Sequence, residues 1–328
     1  MQLKSKPDFA RGSTRVAIAA PRRRSSIALP VGRTCRFASV VLALTLLAMA
    51  TGCRTASTSD RIAEGFAMVP PYPGESGRMV SEQTVLAVLW YQRAAECRAL
   101  YYQACNIARE RIDQYLLARR NTVTANPRKA AIIVDIDETV LDNSEDGARY
   151  IATGTVYTTN SWAEWVRATN ATVLPGMLSL LRHCKTNDVE VFYVSNRETN
   201  DDGMAHALAN LISQGLPYAD TNHVFLHTSS SAKDDRRGPL MTNGLYDVIL
   251  LMGDNLGDFH HDYDAKVGED KRRKDATDRD ATLFGSRYIV LPNPIYGTWE
   301  SVFYDKTATN KSTVRKEELR VFKPGERK

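Results

Sequence analysis

Two carboxylates, Asp135 and Asp137, stand two residues apart directly after the apolar run Ala130-Ala131-Ile132-Ile133-Val134. A run rich in Ile and Val reads as a strand buried on both faces. Side chains at i and i+2 of a strand point the same way, so extended geometry would aim both acids at one point. In an open parallel sheet, ligands bind in the crevice beyond the carboxyl ends of the strands. Two acids held there are costly without a cation or a proton-transfer task. For the bare pair, a strand followed by an acidic loop is the competing reading.

Three further clusters weaken that reading. Ser195-Asn196-Arg197 follows the apolar Val189–Val194, Lys233 lies in Ser231–Arg237, and Gly253-Asp254-Asn255-Leu256-Gly257-Asp258 follows Asp247–Met252. Phosphoryl transfer needs a nucleophile, a cation on the phosphate oxygens, a positive donor and a general acid. Each has a candidate here. Asp135 can attack phosphorus, and Asp137 can protonate the leaving oxygen and then activate water. Asp254, Asp135 and the main-chain carbonyl of Asp137 can hold Mg²⁺ through oxygen. Asp258 can be a further ligand or orient one. Ser195 and Asn196 can donate to phosphate oxygens, and Lys233 can neutralise charge as a compact cation.

Positioning these groups requires alternating strands and helices, which means a parallel sheet built from βαβ units. The strands are expected at 130–134, 189–194, 223–226, 247–252 and 287–291. A long helix is expected from Ser81 to about Arg119, with an apolar stripe of Leu86, Leu89, Ala94, Cys97, Tyr101, Ala104, Ala108, Ile112 and Leu116. Asn121 to Arg128 is the loop into the first strand. Further helices are expected at 175–187 and 202–214, and Ser231–Arg237 opens a helix or loop. Residues 144–173 form a small cap insertion carrying Trp162 and Trp165, three apart; core packing and ring stacking stay open for both. Residues 262–282 are charge-dense and read as a solvated loop or exposed helix. The tail 306–328 is polar and expected to be poorly ordered.

The 328 residues are 43% hydrophobic and 25% charged, as in a soluble globular protein, with a net charge of +5. That charge is misplaced for nucleic-acid binding. Residues 1–53 carry nine Lys and Arg against Asp8 alone, leaving 34 basic and 37 acidic residues beyond them. The basic excess belongs to a leader. Its apolar run Phe37–Met49, closed by Ala50-Thr51-Gly52 before Cys53, has the outline of a secretory signal, too short for a transmembrane helix of about 20 residues. The small-small-Cys ending resembles a bacterial lipobox, with Ala50 where Leu is usual; an ordinary secretory cut near Ala50 is the alternative. Residues 54–80, rich in polar residues, Pro and Gly, read as a flexible tether to a domain at 81–305. Past the leader, Cys97, Cys105 and Cys184 make no disulfide framework. Cys97 and Cys105 would lie about 12 Å apart along a helix, too far to bridge.

In chain order, Asp-Ile-Asp-Glu-Thr from Asp135, Val194–Arg197, Lys233 and Gly253–Asp258 resemble the motifs of the haloacid dehalogenase superfamily, whose phosphatases begin with DxDxT. With Leu100-Tyr101-Tyr102-Gln103-Ala104, Ser231-Ala232-Lys233, the run Leu291–Glu300 and the lipobox-like leader, the chain looks like the class C acid phosphatases, bacterial lipoproteins that include outer-membrane 5′-nucleotidases. The likeness covers about residues 81–305. It implies a haloacid dehalogenase-like Rossmannoid sheet flanked by helices, with a small helical cap. It implies Mg²⁺ and a phosphomonoester substrate such as a nucleoside 5′-monophosphate, with an aspartyl-phosphate intermediate. Arg197 would join the substrate-binding residues, and Tyr296 and one of Trp162 or Trp165 would stack on the base. Lipidation at Cys53 would anchor the protein, and Arg54 beside it lacks the Asp of inner-membrane retention, favouring the outer membrane. A dehalogenase has no use for Asp137 and Asp254, and a sugar mutase belongs in the cytoplasm. The alternative from another class is a non-catalytic nucleotide- or phosphate-binding surface lipoprotein. Oligomeric state is not legible.

Overall fold

The structure, a computed structural model, describes residues 77–121, 127–200, 202–227, 232–305 and 307–321. Cys53, the leader, the tether up to residue 76, Ser231 and most of the loop from Asn121 to Arg128 lie outside them.

Three helices open the domain: α1 (Gly77–Glu82), α2 (Val85–Arg93) and α3 (Ala95–Arg120). Then come β1 (Lys129–Val134), β2 (Leu141–Asp142), α4 (Ser144–Thr153), α5 (Thr159–Ala168), β3 (Thr172–Val173), α6 (Met177–Thr186), β4 (Glu190–Glu198) and α7 (Gly203–Ser213). The chain continues with β5 (Val224–His227), α8 (Asp234–Thr242), β6 (Tyr246–Gly253), α9 (Asp270–Arg279), β7 (Tyr288–Val290), α10 (Thr298–Ser301) and α11 (Lys311–Glu317).

The main sheet has the order β5-β4-β1-β6-β7, and every pairing in it is parallel. As the unbroken apolar run predicts, β1 is the central strand, and it serves two cores by simple alternation. Ala130, Ile132 and Val134 join the core under α3 and α6; Ala131 and Ile133 join the one built on Leu240, Phe259, Tyr263 and Tyr288. Truncating the fully buried Ile132 to Ala would cost about 2–5 kcal/mol, because lost transfer and an unfilled cavity add. Parallel strands leave every carboxyl end on one edge, so Asp135, Ser195 and Asp254 emerge together. The cap at 144–173 is α4 and α5, closed at its base by the antiparallel pair β2–β3, a ladder that no sequence signal announces.

Two expectations need correction. The long helix is broken: Ala94 is extended (φ −74°, ψ 130°), and its N–H still bonds the carbonyl of Trp90. The break rotates the stripe, so Leu86 and Leu89 are 77% and 53% exposed while Val88 and Tyr91 are buried. From Cys97 to Ile112 the expected stripe is in the core. The polar tail is also not loose throughout. Residues 311–317 form α11, whose Ser312 carbonyl and hydroxyl each accept from Gln83 at 3.1 Å, while Arg315 donates to the carbonyl of Val80 at 3.1 Å. The three cysteines past the leader are buried and unpaired.

Candidate active site

β1 ends one residue before Asp135, whose N–H is held by the Met252 carbonyl at 3.0 Å, so the neighbouring strand β6 fixes where this acid leaves the sheet. Lys233, one residue before α8, reaches under the same edge. Its Nζ lies 2.6 Å from Asp135 Oδ1 and 2.6 Å from Asp258 Oδ1, with all three side chains at most 10% exposed. Asp258 can approach because β6 ends at Gly253: a Cβ there would meet Asp258 Oδ2 at 2.1 Å. Asp258 Oδ2 also accepts the N–H of Asn255 at 3.0 Å, closing the turn. Asp254 is held by Thr139 Oγ1 at 3.2 Å and Asn293 Nδ2 at 2.9 Å.

Asp135, Asp254 and Asp258 each bring a carboxylate oxygen within 4.8 Å of the other two. Burial works against the charge of Lys233, but Asp135 and Asp258 outweigh it and raise its affinity for a proton. Desolvation drives the Asp135 carboxyl well above the usual range; Lys233 opposes this, and Asp258, Asp254 and Asp137 add to it. Asp254 is pushed up to about 7 by desolvation and then by Asp258. One ammonium, in contact with Asp135 and Asp258, is therefore set against three carboxylates. An all-oxygen, electron-rich set short of positive charge is what a hard divalent cation satisfies, so the residues present fit one.

The Asp137 carboxylate pairs with a different side chain from the Lys233 of that cluster. It is gripped by Arg197, with Nε at 2.9 Å and Nη2 at 2.7 Å from Oδ1, while Asn143 Nδ2 donates at 2.9 Å and Ser195 Oγ at 3.4 Å. Arg197 is thus committed to Asp137 rather than aimed wholly at substrate, although its buried Nη1 keeps an unused N–H. Strand β4 runs on through Glu198, so pleating puts Ser195 and Arg197 on the buried side and turns Asn196 outward. There Asn196 Oδ1 accepts from Arg236 Nη2 at 2.6 Å. Ser195 is brought to the site; the Asn196 side chain is not.

The aromatic candidates separate by environment. Trp165 packs on the core and donates from Nε1 to Asn143 Oδ1 at 2.8 Å. Trp162 lies under the Arg197 guanidinium, 5.9 Å from the ring centre, and beside Tyr157 at 6.4 Å. Tyr296 is 43% exposed and donates its hydroxyl to Glu138.

Sequence reasoning passed over Glu138, Thr139, Asn143, Arg236 and Asn293. Glu138 sits in the left-handed region (φ 52°) with no exposed surface, and its carboxylate accepts the N–H of Asn143 at 2.8 Å. Its own carbonyl accepts the Tyr101 hydroxyl at 2.5 Å. Desolvation, then Asp137 and Asp254, raise its carboxyl well above the ordinary value. The available signal was the string itself: a Glu between two acids and a Thr, in a motif otherwise fully used.

A five-stranded parallel sheet carrying acids, a Ser and a Lys at one carboxyl edge, with a small helical cap, defines a haloacid dehalogenase-like hydrolase. The family profile described as HAD superfamily, subfamily IIIB (Acid phosphatase) matches residues 76–299. Two solved structures of the class C acid phosphatase from Bacillus anthracis, one with tungstate bound, are each 33% identical, cover 75% of this chain and 100% of theirs, and superpose with a TM-score of 0.67. The chain belongs to the subfamily IIIB acid phosphatases of the haloacid dehalogenase superfamily, the class C enzymes, and is a phosphoric monoester hydrolase.

Proposed function

We propose that Asp135 is the nucleophile of a Mg²⁺-dependent phosphomonoesterase that acts outside the cytoplasm on nucleoside 5′-monophosphates. The carrying observation is Asp135 within 2.6 Å of Lys233, inside a carboxylate cluster short of positive charge. Tungstate on a similar protein supports the reading, since it is a tetrahedral oxyanion like phosphate.

A cation held by Asp135, Asp254 and the Asp137 main-chain carbonyl, with Asp258 beside it, would supply Lewis-acid charge to the phosphate. The chain's own groups do the rest. A carboxylate oxygen of Asp135 bonds to phosphorus as the bond to the leaving oxygen breaks, and Asp137 gives that oxygen its proton. Asp137 then takes a proton from water, which attacks phosphorus and frees Asp135 and inorganic phosphate. Lys233 and the Ser195 hydroxyl neutralise and hold the equatorial oxygens, and Arg197 fixes the aim of Asp137 while offering Nη1 to the substrate. The Trp165 indole N–H is committed to Asn143, which leaves Tyr296 and Trp162 as the better placed of the three to meet a base.

The test is phosphate release from a panel of monophosphates, with Mg²⁺ or with EDTA, by wild type and Asp135→Asn. Mg²⁺-dependent release, greatest on nucleotides and lost in the variant, is expected. Full activity in Asp135→Asn, or in EDTA, would overturn the mechanism. Location rests on the leader alone, and its check is whether Cys53→Ser moves the protein from the membrane to the soluble fraction.

A further inference from the structure

Glu138 occupies a place that suits a glutamate badly, for three independent reasons. Its backbone is left-handed (φ 52°), where glycine or asparagine is the ordinary choice. Its side chain has no exposed surface, and among the described residues no cation pairs with it. The charges that act on it most are acids, Asp137 and Asp254. Such a residue is held only where its surroundings over-determine it. They do so here: its N–H donates to the Leu141 carbonyl at 2.9 Å, and its own carbonyl accepts the Tyr101 hydroxyl at 2.5 Å.

What the side chain contributes is read from its two oxygens. Oε1 accepts the main-chain N–H of Asn143 at 2.8 Å. Asn143 is itself buried and committed at both ends of its amide: Nδ2 donates to Asp137 Oδ1 at 2.9 Å, and Oδ1 accepts from Trp165 Nε1 at 2.8 Å. Oε2 of Glu138 accepts the hydroxyl of Tyr296, whose side chain keeps an exposed ring. The polar end of Tyr296 is thus fixed inward while its ring stays open to a ligand. The same loop has another tether, Asn293 Nδ2 to Asp254 Oδ2 at 2.9 Å, but that one holds the chain three residues before the ring.

We propose that Glu138 is a positioning residue that ties the ring of Tyr296 to the carboxylate of Asp137 through Asn143, so that one buried side chain sets both nucleobase recognition and the aim of the proton donor. The inference rests on the reading of the site as a nucleotidase with Asp137 as its acid and base. Seating a base against Tyr296 and holding Asp137 on line then draw on the same preorganised link.

Steady-state kinetics on adenosine 5′-monophosphate and on ethyl phosphate, which has no base, read the two ends of the link separately. Wild type should favour the nucleotide; no preference for it would remove the reading beneath the inference, and the inference with it. Glu138→Ala, its fold checked by circular dichroism, should lose roughly 10- to 100-fold in kcat on both substrates, as a misaimed catalytic group does. Its KM should rise several-fold for the nucleotide and stay put for ethyl phosphate. Glu138→Gln keeps an oxygen for Asn143 and a polar group for Tyr296, so it should recover most of both losses. Tyr296→Phe should raise the nucleotide KM as Glu138→Ala does, and the double variant should add nothing further to it. With the wild-type preference intact, equal KM changes on both substrates, additive effects in the double variant, or an untouched kcat in Glu138→Ala would each overturn the proposal and reduce Glu138 to a structural residue. If Glu138→Ala does not fold, Tyr296→Phe carries the test: a raised nucleotide KM supports the link, and an unchanged one breaks it.

Discussion

Two regions of this molecule are dense in charge, and they are built on opposite terms. Along α9 acids and bases are interspersed, and three pairs close one turn apart: Lys271 with Asp275 at 2.7 Å, Lys274 with Asp270 at 2.9 Å, Arg272 with Glu269 at 3.0 Å. At the carboxyl edge of the sheet, Asp135 and Asp258 share Lys233 beside a third acid, Asp254. The helix is solvated and its charges are self-sufficient; the edge is buried and its charges are owed a partner. Charge density alone marks nothing. Unbalanced charge under poor solvation marks a site.

That contrast can be broken by substitution. Arg197→Met should cost about 3–5 kcal/mol of stability, because it strands Asp137 with its guanidinium partner removed from a site where Arg197 is 1% exposed; a loss below 1 kcal/mol in denaturant melts (roughly the surface-pair ceiling) would place this pair with those of α9. Lys233→Met should lower phosphate release by roughly 10²–10³-fold in steady-state assays with the fold retained by circular dichroism, the usual effect of deleting one preorganised donor. Metal-free protein should show a pH-dependent melting point to which Asp254 contributes, in the same direction as Asp135 and Glu138. The Asp254 carboxyl titrates near 7 when folded and at 3.8 when exposed, so between those values the folded state holds a proton that the unfolded state has lost. Its contribution is fully present below 3.8 and lost as pH rises through about 7. Thermal melts in EDTA should therefore fall across that window, and saturating Mg²⁺ should flatten the trend. The smallest effect belongs to Lys271→Ala, a slight drop in melting temperature that disappears as salt is added, as expected of an exposed i,i+4 pair.

How much of this was legible follows the range of each interaction. Strand β1, the acids beyond it and the Lys233 and Gly253–Asp258 clusters announce themselves because local pattern and site chemistry coincide there. Glu138 hides because nothing beside it in sequence says it is buried; Tyr101 and Tyr296, which cover it, come from 37 and 158 residues away. Asn196 looks equivalent to Ser195 until pleating assigns them opposite faces. The break at Ala94 carries no Gly or Pro to announce it. It is imposed by tertiary demand, since Tyr91 must meet Tyr101 at 2.5 Å to reach the Glu138 carbonyl. The docking of α11 was invisible for the same reason, as its partners Val80 and Gln83 lie more than 200 residues upstream.

The seam between α11 and the start of the domain has a mechanical consequence. Force applied between residues 77 and 321 loads the bonds of Gln83 to Ser312 and of Arg315 to Val80 one after another, like a zipper, instead of shearing the parallel strands together. The C-terminal helix should come away at low force and leave the sheet, with its catalytic edge, folded behind it. Seen this way, the last turn of helix is a clasp, and tension spends itself there first.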